Sequence, residues 1–530
     1  MAARIRPRQR FTRPLAIAAA IIGAAACAPV PVPSTPNKDI KATDFEAAIS
    51  RLEKDDPQSP GALNARLEYA DFLSEQAGDN CRQRLTAAQS QVDTVTGRPT
   101  INVLPLGPAR IANIDYKIHL ARAACGGDQP PLKSELQQAV EAAQHAVDLY
   151  RNALDYQSAA IMQFNVAATY RELGDVNDAV SALESTIAMD REYGFRQDAE
   201  DNIGLLLGWQ GGAASDSDVA ALMKDFPARS AELKFHWSST DADVAVSVDG
   251  TSMIDEKIIR SRGSVGLKRH IRADAMGWTV SNEPGTGTYD LGEWPADAKK
   301  LQWATTYFLA STLLQTPTLK IGRDGDFNSV ADPQTFGTNL ATEVSAKIGE
   351  IPSASDPKSA DATMRDLKTA FSPNYVESSA MQNYGIETGT WIGAKLEQGV
   401  WHQMSTQLFL PALGLGHYLV NHDISFAFTR QVPCTIESSA RLCAEIVIHA
   451  TPNADDLKST LEEMGQQLKF SDKQSSRYLS VTDIRLVIDP NTLLPYVCDT
   501  RQYWYYALNG PGNSGPIIES VRTVSTSVYH

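Results

Sequence analysis

The spacing of hydrophobic positions changes near residue 230, and this change predicts two structural regions. Before it, apolar residues recur every three or four positions and share one helix face, as in Leu136, Val140, Ala143, Val147, Tyr150 and Leu154. After it, a period of two dominates, as in Val244, Val246 and Val248. We therefore expect a multidomain chain, with an all-α domain over residues 40–226 and an α+β domain over residues 232–530.

The second region contains many predicted strands and few predicted helices. Its last six strands are expected at residues 399–410, 417–432, 441–450, 477–489, 494–508 and 516–528. Asp249-Gly250 and Asp489-Pro490-Asn491-Thr492 have turn chemistry. Helices are expected at 301–314, from Asp332-Pro333 onward, and at 357–371. Strands joined by tight turns, with helices grouped between them, predict a large antiparallel sheet with helices on one face.

One segment of the first region has a repeat-like pattern. Between Gln163 and Asp190, small and bulky residues stand at offsets that resemble a tetratricopeptide repeat. Ala167 and Ala179 would let two helices approach, Tyr170 would fill the groove and Gly174 would turn the chain. One repeat cannot bury its face alone, so the resemblance implies stacked helix pairs whose concave groove holds a protein partner.

The order of elements in the second region carries another resemblance. The Asp489–Tyr496 turn and the Asp324-Gly325 hairpin before the Asp332 helix resemble the curved antiparallel sheet of periplasmic lipoprotein carriers. In such domains the sheet wraps a helical plug, and its concave face holds acyl chains. The resemblance implies a site for lipid or another apolar ligand, lined by alternate strand residues such as Ile424, Phe426 and Phe428.

The N-terminus predicts export. Five arginines precede an apolar run, Leu15–Ala26, that is shorter than the roughly 20 residues of a membrane span. The sequence Ala24-Ala25-Ala26-Cys27 resembles the lipobox of bacterial lipoproteins. This resemblance implies that residues 1–26 form a signal peptide and that Cys27 is lipidated. Residues 27–39 form a Pro-rich linker.

The same resemblance suggests a location. The residue after Cys27 is Ala28, and not the Asp that would imply retention in the inner membrane. We therefore expect a protein anchored by lipid at the periplasmic face of the outer membrane, with a soluble periplasmic protein as the alternative. The net charge of −15 argues against nucleic-acid binding, which requires a basic surface.

Export also permits disulfides among the six cysteines. Cys434 and Cys443 enclose eight residues in a strand-like region and would staple a hairpin. Cys81 and Cys125 would pair across helices, which leaves Cys498 as a free, buried thiol.

A basic segment stands out in this acidic chain. Lys268, His270 and Arg272 would share one strand face. They form either a solvated sheet surface or a patch that faces anions such as phospholipid or lipopolysaccharide head groups or an acidic protein.

Motifs for catalysis and metal binding are weak. Ser514 lies in Gly512–Pro516, which resembles the nucleophile loop of trypsin-like proteases, but only 14 residues follow it. Spacing of five residues puts His417 and His422 on opposite strand faces, which disfavours a metal site. We expect no catalytic residue, metal or cofactor. The sequence predicts a lipid-anchored protein-binding or assembly factor; the alternatives are a carrier of hydrophobic ligands and a hydrolase using Ser514.

Overall fold

The computed structural model describes most of the chain between residues 42 and 530. The residues outside the described part are 1–41, 56, 58, 76–79, 103, 105, 126–130, 212–214, 225, 227–228, 255–256, 291–315, 350–366, 369–370, 410–418, 436–437, 468–476 and 508–516. The signal peptide, Cys27, His417 and Ser514 therefore lie outside the described residues. No described helix is both long and apolar enough to cross a bilayer.

The N-terminal region is helical, as predicted. Its described residues form α1 (Ala42–Asp55), α2 (Pro60–Glu75), α3 (Cys81–Thr96), α4 (Gly107–Ala124), α5 (Lys133–Asn152), α6 (Tyr156–Leu173), α7 (Val176–Tyr193), α8 (Arg196–Trp209) and α9 (Asp216–Met223). Each helix from α4 to α8 packs on the next one in the chain. Because their connections are short, these neighbours run antiparallel and form a stack.

The predicted helix pair is present at α6 and α7. Gly174 ends α6 with φ of 85°, a left-handed conformation that glycine adopts without strain. Ala167 and Ala179 are fully buried, and Tyr170 packs half-buried on the same core. The small residues therefore lie where the two helices approach, as the sequence pattern predicted.

The C-terminal region is built on strands. Its described strands are β1 (Ser230–Glu232), β2 (Thr240–Ile254), β3 (Lys257–Ala273), β4 (Gly277–Asp290), β5 (Leu319–Gly322), β6 (Phe327–Val330), β7 (Lys395–Glu397), β8 (Trp401–Phe409), β9 (Leu419–Thr435), β10 (Ser438–Pro452), β11 (Arg477–Ile488), β12 (Pro495–Ala507) and β13 (Ile517–Tyr529). The helices described between them are α10 (Pro333–Gly349), α11 (Pro373–Glu387) and α12 (Ala454–Gln467).

Eleven of these strands form one antiparallel sheet. Their order is β6-β5-β4-β3-β2-β13-β12-β11-β10-β9-β8, and β1 pairs separately with β7. The last strand, β13, pairs with β2. This pairing joins strands β2–β6, which come first in the chain, to strands β8–β13, which come last. The predicted α+β class and the large antiparallel sheet are therefore confirmed.

The turn predicted at Asp249-Gly250 is wrong, because β2 continues through both residues. Asp249 pairs with Arg262, and Gly250 pairs with Ser261 in the ladder with β3. A Cβ at Gly250 would collide with the Ser261 side chain, so the glycine serves close strand packing.

The inner face of β9–β12 is filled by side chains from a plug. Strands β1 and β7 and the segment around Trp391 supply the apolar side chains that cover it. The Trp391 ring meets Phe426 edge to face at 5.2 Å, and Phe428 is fully buried. Ile424 and Phe426 pack half-buried against the same cluster, so the plug covers this part of the sheet.

Candidate functional site

The helical stack and the sheet meet where α7 ends. Gly194 follows α7 with φ of 82°, and Gly399 lies opposite with φ of 77°. A Cβ on Gly194 would approach the Gln398 backbone to 2.9 Å, and a Cβ on Gly399 would reach the Gly194 carbonyl oxygen at 2.7 Å. The Gln398 amide also donates to the Glu192 and Thr429 carbonyl oxygens, at 2.5 and 2.9 Å. Two glycines thus allow backbone contact at this junction.

A fully buried carboxylate, Glu445 of β10, lies at the centre of the junction. Arg430 donates to it through Nε at 3.0 Å, and Arg485 donates through Nε at 2.7 Å. Thr429 Oγ1 donates at 2.9 Å, and the Tyr156 hydroxyl of α6 donates at 3.3 Å. Four donors therefore surround Glu445, one of them from the helical stack.

Aromatic rings of the helices enclose Arg430. Its guanidinium lies 5.2 Å from the Tyr193 ring centroid and 5.8 Å from that of Tyr156. The two rings stack on each other at 4.1 Å, and Arg430 also pairs with Glu192. Burial acts to raise the pKa of Glu445, but Arg485 and Arg430 outweigh it and lower the pKa. The junction thus holds an ionised carboxylate whose hydrogen bonds are satisfied.

An open groove of about 510 Å³ lies on the helical stack next to this junction. Buried Val147 and Met189 form its apolar floor. Its other lining residues come from α5, α6 and α7 and are mostly polar: Gln144, Asp148, Arg151, Gln163, Ser185, Ala188 and Glu192. The groove therefore offers hydrogen-bonding groups around a small apolar patch.

A second group of chargeable side chains lies inside the sheet. Arg269 of β3 and Tyr529 of β13 flank Ala242 of β2 in one cross-strand row. Glu387, the last residue of α11, and the thiol of Cys498 both act electrostatically on Arg269. We call these four residues, Arg269, Glu387, Cys498 and Tyr529, the interior cluster.

Few neutral hydrogen bonds hold the interior cluster. Arg269 Nε donates to Asn282 Oδ1 at 3.2 Å. The Tyr529 hydroxyl donates to the Pro495 carbonyl oxygen at 3.1 Å. Cys498 Sγ lies 3.7 Å from Thr500 Oγ1. The guanidinium has five N–H groups, and hydrogen bonds to Asn282 and to the Tyr529 side chain use part of them.

Burial governs the pKa values of the interior cluster. It raises the pKa of Glu387, and together with Glu387 it raises the pKa of the Cys498 thiol to about 12. Burial also raises the pKa of Tyr529. It acts to lower the pKa of Arg269, but Tyr529 and Glu387 outweigh it and raise that pKa.

All four side chains nevertheless keep part of their surface accessible. Cys498 packs against the apolar cluster between the sheet and the plug, and Tyr529 packs against two further apolar clusters of the sheet. Leu267 and Ile271 share the inner face of β3 with Arg269. The interior cluster is thus a polar end of an apolar sheet face.

Both predicted disulfides are present, Cys81–Cys125 and Cys434–Cys443, and Cys498 is free and half-buried. Their Cα atoms are 5.8 and 5.0 Å apart. Because structural disulfides persist in oxidising compartments, they indicate a protein located outside the cytoplasm.

The predicted basic patch has acidic neighbours. His270 Nδ1 lies 2.6 Å from Asp241 Oδ1, and Arg272 pairs with the same carboxylate. Lys268 is exposed between Asp243 and Glu283 in the register of the neighbouring strands. The face therefore carries both signs of charge, which weakens its attraction for anions.

His422 of the disfavoured metal pair is buried, and its Nδ1 lies 2.8 Å from the Val420 carbonyl oxygen. The described residues include no group of three or more His, Cys, Asp or Glu that could hold a metal ion.

The sequence analysis missed Glu445, Glu387 and Arg269. For Arg269 a signal existed, since it stands between Leu267 and Ile271 at a spacing of two and so occupies an inward position. A charged residue at an inward strand position is rare and marks a partner or a ligand. For Glu445 no such signal existed, because its face becomes buried only when the helices dock.

Comparisons with known proteins add little. No protein-family model matches the sequence, and no curated protein matches it. A solved structure titled "Lipid-protein interactions in lipovitellin" is similar with a TM-score of 0.28 and 11% identity over 55% of this chain. This chain covers 25% of that lipovitellin chain, about a quarter of its length. A likeness this distant leaves the function to be argued from the site itself.

Proposed function

We propose that this protein is an exported carrier of an amphiphile, whose acidic head group binds the interior cluster and whose apolar part lies along the sheet. In this proposal the chain is a lipoprotein anchored through Cys27 at the periplasmic face of the outer membrane. The observation that carries the proposal is Arg269, a cation on an inner sheet face that is otherwise apolar around it.

The chemistry of Arg269 suits an acidic head group. A guanidinium offers parallel N–H donors that match a carboxylate or phosphate, and such bonds strengthen where water is excluded. The Tyr529 side chain hydrogen-bonds Arg269 and would hold the guanidinium in place beside the head group. In this proposal Glu387 balances the charge of Arg269 before the head group binds, and burial raises the pKa of Glu387, which favours its protonation when an anion arrives.

The test is binding of a fluorescent fatty acid to the purified full chain, together with native mass spectrometry for co-purified lipid. Arg269→Met should weaken binding about 10- to 100-fold, the loss expected for a hydrogen bond to a charged group. The matched control is Arg262→Met on the same strand, where the side chain is exposed and pairs with Asp249 at 3.2 Å. Equal binding by both variants, or no binding by the unaltered chain, would reject the carrier.

A second candidate function is protein binding by the helical stack, and the groove between α5 and α7 favours it. Gln144 and Gln163 offer amide groups for a peptide backbone, while Val147 and Met189 offer room for one apolar side chain. In this proposal the stack acts as tetratricopeptide repeats do.

A photocrosslinking residue at Ser185, inside the groove, should capture a specific partner in intact cells. The same residue at Glu184, exposed on α7 but outside the groove lining, should not. Identical capture at both positions would contradict a partner seated in the groove.

A further inference from the structure

Strand β8 is an edge of the eleven-stranded sheet, and it lacks the features that keep edge strands from pairing with other chains. Natural edge strands are usually short, bulged, or carry lysine or proline. β8 runs for 9 residues with no register shift against β9. Residues 401–409 contain neither a charged residue nor a proline. No described strand pairs with its outer edge, so within the described part of the chain this edge is open to strand addition.

The lack of charge extends beyond the strand. No Asp, Glu, Lys or Arg occurs between Glu397 and Asp423, although 21% of the chain is charged. Large apolar side chains on β8 are exposed, with Trp401 at 40% and Met404 at 37% of their surface. Gln403, Ser405 and Gln407 are exposed as well. The edge thus presents a neutral surface of mixed apolar and amide groups.

The opposite edge of the sheet is protected. β6 has 4 residues, and its Val330 packs against Val376 and Ala380 of α11. Phe336 of α10 joins the same cluster. Pairing at β8 would therefore stop at two copies and would not propagate into a fibre.

We propose that β8 pairs antiparallel with β8 of a second copy of this chain, which joins the two sheets across a two-fold axis. In such a pairing, centred on Ser405, that residue faces its own copy and Gln403 faces Gln407, so a charge at the centre would meet a like charge. A strand without charges avoids this repulsion, and it offers a charged partner strand no ion pair. Glutamine amides both donate and accept, so Gln403 and Gln407 suit pairing with their own kind. This assembly does not depend on the ligand or partner proposed above.

One strand pair buries less area than a standard interface, so we expect a dimer with a Kd of about 1–100 µM. Sedimentation equilibrium of the full chain in detergent should show twice the monomer mass at high concentration. Ser405→Lys, at the middle of the edge, places two like charges together and should raise the Kd at least tenfold. Ser247→Lys is the matched control, since Ser247 is exposed on β2 between two paired strands.

Gln403→Lys combined with Gln407→Lys, two exposed positions that face each other across the axis, repeats the test if the Ser405 variant fails to fold. Thermal unfolding of each variant shows whether the fold is intact. A chain that stays monomeric at 100 µM overturns the proposal. A dimer that both edge variants leave unchanged also overturns it, because the contact would then lie elsewhere.

Discussion

Glu445 is fully buried and Glu387 is half-buried, and both carboxylates face arginine, yet their pKa values move in opposite directions. Arg485 and Arg430 lower the pKa of Glu445 against the effect of burial. Burial raises the pKa of Glu387, and Arg269 offsets it only in part. The difference is the number of donors, since Glu445 accepts bonds from two arginines, a threonine and a tyrosine.

The contrast separates two uses of buried charge. A carboxylate with every lone pair satisfied is costly to disturb and has nothing left to offer a ligand, so Glu445 fixes the helical stack to the sheet. A loosely bonded pair such as Arg269 and Glu387 stabilises the fold little and keeps donors available. We therefore assign the junction to structure and the interior cluster to binding.

The largest expected effect is on stability, and it tests this assignment directly. Glu445→Gln removes the shared counter-ion of two half-buried arginines, Arg430 and Arg485, and leaves Arg430 with Glu192 alone, so it should cost about 3–5 kcal/mol of unfolding free energy. Glu387→Gln removes a carboxylate for which burial opposes the charged form, and it should change the unfolding free energy by less than about 1 kcal/mol. Urea unfolding of both variants measures the difference. Equal losses would mean that the two clusters serve the same structural purpose.

Most strands could be predicted because apolar and polar residues alternate within the sequence of each strand. The strand expected at 477–489 is β11 (Arg477–Ile488), where Ile484, Leu486 and Ile488 face inward. The turn at Asp489 could also be predicted from its sequence, since the Asp489 carboxylate accepts a hydrogen bond from the backbone N–H of Asn491 at 2.9 Å. Local chemistry determined these features, so they could be read without the fold.

The junction could not be read in the same way. Tyr156 and Glu445 are 289 residues apart, and the sequence around either residue does not indicate that they are in contact. Helix α12 was missed as well, in a polar segment between two strands that the strand pattern did not mark. Contacts between regions depend on docking, which no periodicity encodes.

A third buried carboxylate, Asp190 of α7, sharpens the comparison with a smaller effect. Its Oδ2 accepts from Asn202 Nδ2 at 2.8 Å, and among the described residues its Oδ1 has no hydrogen-bond partner. Burial, assisted by Asp198, raises the pKa of Asp190 to about 7. Because an unfolded aspartate titrates near pH 3.9, the folded chain binds the extra proton between about pH 4 and 7.

The fold should therefore lose stability as pH rises through this window and level off above it. Asp190→Asn removes the dependence, because it keeps a neutral group at all pH values. The variant should be more stable than the unaltered chain by about 1–2 kcal/mol at pH 8, with no gain at pH 5. Thermal unfolding from pH 5 to pH 8 measures this, with Asp201→Asn on the exposed side of α8 as the control. If both variants show the same pH profile, then Asp190 is ionised in the folded chain. The carboxylates of Asp190 and Glu445 would then be in the same protonation state, although only Glu445 has arginine partners.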